Sequence, residues 1–153
     1  MRRMVIGLFL LAMMGTATGC GGGKSQAEFT PATITVFLGG QPLPNATVIL
    51  TPADPNLATD AISQGVTDDK GVAKLGAGAQ NGAAIGLNRV TVNEGPVPEE
   101  ARSENPDEQL KAAQFMAKLK NRPIPPRYGN VVQGKLELEI KKGQTEYKLE
   151  LTR

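Results

Sequence analysis

The sequence predicts a mainly β chain: an antiparallel Greek-key β-sandwich of about seven strands, interrupted by one helical insertion near residues 105–120. Three observations carry that reading. Short runs of apolar and β-branched residues alternate with polar ones and are separated by clusters of Gly, Pro, Asn and Asp. Gly (18) and Pro (11) are both frequent among 153 residues, which suits an all-β domain of many turns better than a helix bundle. One stretch alone, from Glu94 to about residue 130, departs from the pattern, turning charged and Pro-rich and then helical in period.

Taken in order, Ala32–Leu38 puts Ile34, Val36 and Leu38 on one face, and Thr33, Thr35 and Phe37 on the other. Gly39-Gly40 permits positive φ and Pro42 presets φ, so a tight turn follows. After a second bend at Pro44-Asn45, Ala46, Val48 and Leu50 form the inward face of a strand ending at Pro52. Residues 52–62 read as a loop. Gln64–Thr67 and Val72–Leu75 read as two strands of a hairpin, joined by Asp68-Asp69-Lys70-Gly71. Residues 76–82 read as a flexible connection, and Ile85–Val92 as the next strand.

Within the insertion, Asn105-Pro106-Asp107-Glu108 is a strong helix start, with Asn at the N-cap and Pro at the first helical position. Leu110, Ala113, Met116 and Ala117 fall on one stripe, expected to dock on the surface of the sheet. The alternative leaves Leu110, Phe115 and Met116 as a partner-binding face. Asn121-Arg122-Pro123 ends the helix, and residues 123–126 read as a rigid connector returning to the sandwich. Tyr128 reads as core packing at a sandwich corner. The strongest period-2 signal closes the chain. Leu136, Leu138 and Ile140, then Tyr147, Leu149 and Leu151, alternate with charged residues and predict an antiparallel hairpin with one wet face.

The N-terminus reads as an address. Arg2-Arg3 precedes an apolar run, Met4–Met14, which is shorter than the ~20 residues a spanning helix needs. Small residues follow, then Cys20, the sole cysteine. Ala17-Thr18-Gly19-Cys20 resembles a bacterial lipobox, with Ala17 where Leu is commonest. The resemblance implies cleavage before Cys20, acylation of its sulfur and new amino group, and a lipid-anchored cell-envelope protein; the alternatives are a plain secretory signal cut near Ala17 and an uncleaved anchor. The Gly after Cys20, by resemblance to enterobacterial sorting, favours the outer membrane. On this reading residues 1–19 are a signal peptide, 20–30 a flexible tether, and 31–153 the domain, with 94–130 inserted in it.

Composition narrows the function. With no His, there is no Ser-His or Cys-His pair and no imidazole metal site. One Cys rules out an intramolecular disulfide. Loss of Arg2 and Arg3 balances the remaining 15 acidic residues, so no basic footprint for nucleic acid is expected. Asp68 and Asp69 are weak candidates for Ca²⁺ ligation with Asp54 or Asp60, against the simpler reading of a turn.

Several motifs together resemble the carboxypeptidase regulatory-like domains. They are Gly40-Gln41-Pro42-Leu43-Pro44-Asn45-Ala46-Thr47-Val48, Thr67-Asp68-Asp69-Lys70-Gly71, and Gly86-Leu87-Asn88-Arg89-Val90-Thr91-Val92. Ile124-Pro125-Pro126-Arg127-Tyr128 is similar to a segment of small lipoproteins of planctomycete-type bacteria. The resemblance implies a transthyretin-like (prealbumin-like) sandwich and no enzymatic activity, cofactor or catalytic residue. The expected function is a structural or protein-interaction module bound to an unknown envelope protein and held to the membrane through Cys20. The alternatives are a binding protein for a small ligand, carbohydrate or calcium, and an accessory subunit of an envelope enzyme or transporter.

Overall fold

The computed structural model describes residues 26–57 and 59–153, so Cys20 and the N-terminal apolar run lie outside the described residues. The strands in chain order are β1 (Phe29–Thr30), β2 (Thr33–Leu38), β3 (Gln41–Pro42), β4 (Ala46–Pro52), β5 (Ser63–Val66), β6 (Val72–Lys74), β7 (Gly76–Ala77), β8 (Gln80–Asn81), β9 (Ala83–Ala84), β10 (Gly86–Glu94), β11 (Leu136–Ile140) and β12 (Glu146–Leu151). Seven of these are three residues or longer. The helices are α1 (Pro106–Lys118) and the single turn α2 (Val131–Gly134).

Two main sheets enclose one core. The larger has the order β11-β10-β4-β5-β7-β8, and the smaller places β12 and β3 on either side of β2, with β6 also pairing β2. The alternation read from sequence holds: Ile34, Val36 and Leu38 from β2 meet Val48, Leu50, Val90 and Val92 from the facing sheet, all buried. Each such side chain stabilises the fold by roughly 1.5–3 kcal/mol relative to exposure. At the β2–β3 turn, Gly39 (φ 60°) and Gly40 (φ 78°) both take positive φ. That matches the two-residue turn whose twist suits a hairpin, and Leu38 pairs Gln41 across it.

Three expectations are corrected. The last two strands do not form a hairpin. β11 pairs antiparallel with β10, while β12 pairs parallel with β2 in the other sheet. Period-2 alternation says which face of a strand turns inward, and both strands do turn their apolar face to the core. It does not say which neighbour supplies the ladder. Tyr147 holds the crossover: its hydroxyl accepts from the Lys141 N–H at 2.9 Å and donates to the Gln144 carbonyl at 3.1 Å. The turn at Asp68–Gly71 forms as expected, but β5 and β6 on either side of it complete their ladders in different sheets. Residues 76–82 are no loose connection either, since β7 and β8 pair as a small hairpin on the edge of the larger sheet.

The strand directions give the sandwich two distinct ends. The chain enters at one end, where β1 pairs β9 and Glu28 meets Lys142 at 2.5 Å. From there β2, β10 and β12 run to the other end, finishing at Leu38, Glu94 and Leu151. The whole excursion from Gly95 to Asn121 therefore leaves and rejoins the sandwich at the end opposite the N-terminal strand.

Candidate functional site

The end that carries the insertion is built around the bend at Leu43–Ala46. Thr67, buried, staples it: its hydroxyl donates to the Leu43 carbonyl at 2.7 Å and accepts from the Ala46 N–H at 2.8 Å. Gly95 then passes so close that a Cβ there would lie 2.4 Å from the Asn45 carbonyl oxygen, so only glycine fits. Its own N–H donates to that carbonyl at 2.9 Å.

The returning chain is fastened to the same bend. The Arg122 Nη2 donates to the carbonyls of Pro44 and, at 2.7 Å, Asn45. Its Nε lies 2.7 Å from Glu94 Oε2. Glu94 Oε1 accepts from the Ile124 N–H at 3.1 Å. Asn121, in the left-handed region (φ 63°) that Asn tolerates, donates from Nδ2 to the Leu38 and Gln41 carbonyls at 2.9 and 3.0 Å. Its Oδ1 accepts from Arg153. Beyond this clasp, Ile124 and Tyr128 enter the core, as the sequence predicts for Tyr128. The Tyr128 hydroxyl accepts from the Thr152 N–H at 2.9 Å. Burial pushes its pKa up, but hydrogen bonds from Thr152 and the Arg127 guanidinium outweigh that and hold it below the ordinary phenol value.

Between Gly95 and Asn121 the chain projects. A short 3₁₀ turn, Glu99–Arg102, packs on α1. The Asn105 side chain caps the helix by accepting from the Asp107 N–H at 3.0 Å, as its sequence predicts. The stripe does not dock on the sheet. Ala112 is the one α1 residue that is buried (3% exposed), while Leu110 is 58%, Phe115 42% and Met116 36% exposed. The helical repeat explains the miss. At about 100° per residue, Leu110, Ala113 and Ala117 lie roughly 100–160° around from Ala112. An apolar stripe marks a helix face, and whether that face is covered depends on where the two ends of the excursion are tied.

The acidic candidates are not brought together. Asp68 Oδ1 is taken by its own turn, accepting from Lys70 and Val72 N–H groups at 2.9 Å each. The Val72 bond is the main cause of an Asp68 pKa below the ordinary carboxylate value. Asp69 is exposed. Asp54 and Asp60 follow β4, at the end of the sheet opposite Asp68 and Asp69, and Asp54 Oδ1 accepts from the Asn56 N–H at 2.8 Å. Among the described residues, no group of three or more Cys, Asp or Glu side chains is placed to hold a metal ion. At the N-terminal end an open hollow of about 860 Å³ lies between Phe29, Asp60, Ile62 and the Ala77–Gln80 hairpin. Among the described residues no helix is long and apolar enough to cross a membrane.

Sequence reasoning missed the clasp. Asn121-Arg122 was legible only as a helix stop, because its partners lie about 30 to 80 residues away, and the carbonyls it holds at the bend are backbone groups that no residue type announces. No family model, no curated protein and no solved structure matches the chain.

Proposed function

We propose that this chain is a lipid-anchored cell-envelope module that binds a protein partner and catalyses no reaction. In this reading its sandwich is a transthyretin-like Greek key of the carboxypeptidase regulatory-like type. The observation that carries the proposal is the polarity of the fold. The N-terminal strand enters at one end, and a clasped projection with exposed apolar residues stands at the other. Acylated at Cys20, the chain would sit with the 26–30 end toward the lipid and α1 turned away from it. Several acyl chains give a durable anchor, since each buried CH₂ adds about 0.8 kcal/mol.

The test is Cys20→Ala in cells. The variant is expected in the soluble envelope fraction or retained as an unprocessed precursor, with wild type in detergent-extracted membranes and labelled by an alkyne fatty acid. A wild-type chain that takes no fatty acid, or a processed variant that remains membrane-bound, rejects the anchor.

A further inference from the structure

The interaction-module reading leaves the partner open, and α1 narrows it. Its outward stripe, Leu110, Ala113 and Ala117, is exposed along its length, with small residues at the centre where another helix could approach closely. Charge is divided along the insertion. Glu99, Glu100, Glu104, Asp107 and Glu108 outnumber the single Arg102 before the middle of the helix, Lys111 lies at the middle, and Lys118 and Lys120 follow, with no acidic residue from 109 to 122. A surface with a net acidic end, a net basic end and a stripe of Leu and Ala between them is complementary to itself turned end for end.

We infer that the occupant of this face is a second copy of the chain, joined by antiparallel pairing of the two α1 helices about a two-fold axis near Ala113. A two-fold contact uses the same patch on both molecules, so each favourable pair occurs twice. With the axis at Ala113, Leu110 of one copy lies against Ala117 of the other. Asp107 on the edge of the stripe meets Lys118, in both directions. The parallel arrangement would set acidic end against acidic end. The contact is a single short helix face, well below the area of a standard interface. Confinement to a membrane surface, by raising effective concentration, supplies what area does not. This inference therefore rests on the anchored reading proposed above.

The experiment uses the full-length chain in cell membranes with a mild oxidant. Ala113→Cys is compared with Ala117→Cys, both exposed and conservative changes. In the antiparallel pair, position 113 faces itself. The two copies of position 117 are about 12 Å apart along the axis at ~1.5 Å per residue, beyond the roughly 7 Å that a disulfide bridges. Disulfide dimer is expected at 113 at several times the level at 117. Lys118→Glu in the Ala113→Cys chain should reduce it, and adding Asp107→Lys should restore it. On the unsubstituted chain, zero-length carbodiimide coupling should join Asp107 to Lys118 in a dimer, a bond that cannot form within one helix across eleven residues. Equal yields at 113 and 117, no dimer at 113, or no Asp107–Lys118 product overturns the inference. The wild-type chain, whose sole Cys is Cys20, is the control for the anchor: a disulfide dimer there means a free thiol and rejects lipidation. The 113/117 comparison is then repeated with Cys20→Ser.

Discussion

At the scale of single residues, the bend at Leu43–Ala46 depends on side chains that look unremarkable in a list. Thr67 is one of them. Thr67→Val keeps its shape but deletes the hydroxyl that serves both the Leu43 carbonyl and the Ala46 N–H. Leaving buried backbone groups unpaired costs about 1–3 kcal/mol, so the urea midpoint should fall with an unchanged slope. Asp68 makes a pH-dependent contribution of definite sign. Its pKa is lowered in the folded state, so its stabilisation is present above the unfolded-state pKa near 3.9 and is lost as pH falls through the folded value. Asp68→Asn keeps an acceptor without the titration. Between neutral pH and about pH 3, its melting temperature should fall less steeply than that of wild type. Equal slopes would show that the turn carboxylate carries no linkage.

At the scale of elements, the insertion divides into a removable part and an integral part. The sequence places residues 94–130 together as one insertion. The structure sets Glu94 against Arg122, so the excursion begins and ends at one point. Residues from Asn121 onward fasten the bend and fill the core with Ile124 and Tyr128. Replacing 97–119 by a short Gly-Ser link should leave a cooperatively folding sandwich. Extending the deletion through Arg122 should lower the thermal midpoint further, because it strips partners from the Pro44 and Asn45 carbonyls. Equal melting of the two deletions would mean that the clasp adds nothing to the fold.

At the scale of the molecule, the two tyrosines report on opposite ends of one core. Tyr147 sits at the crossover near the N-terminal end and Tyr128 at the clasp, and both belong to the same buried cluster. Tyr128→Phe and Tyr147→Phe each leave a single tyrosine. In each variant the near-ultraviolet signal of that tyrosine should melt together with the far-ultraviolet signal of the sheets. Separate midpoints would show that the two ends unfold independently.

Much of this fold was legible in the residues. Ile34, Val36 and Leu38, or Val48 and Leu50, declare strand and inward face by their period. Gly39-Gly40 declares the turn, and Asn105-Pro106 declares the helix start. All of these are decided within a few residues by φ preference, side-chain alternation and local hydrogen bonds, so the sequence by itself determined them. Only the tertiary structure decided that β12 lies parallel to β2, that Arg122 reaches the bend at Pro44-Asn45, and that the Leu110 face stays uncovered. Each of these is a choice of partner among distant segments. Alternation and propensity are the same whichever partner is chosen, and the choice is made by closing one core from both sheets at once.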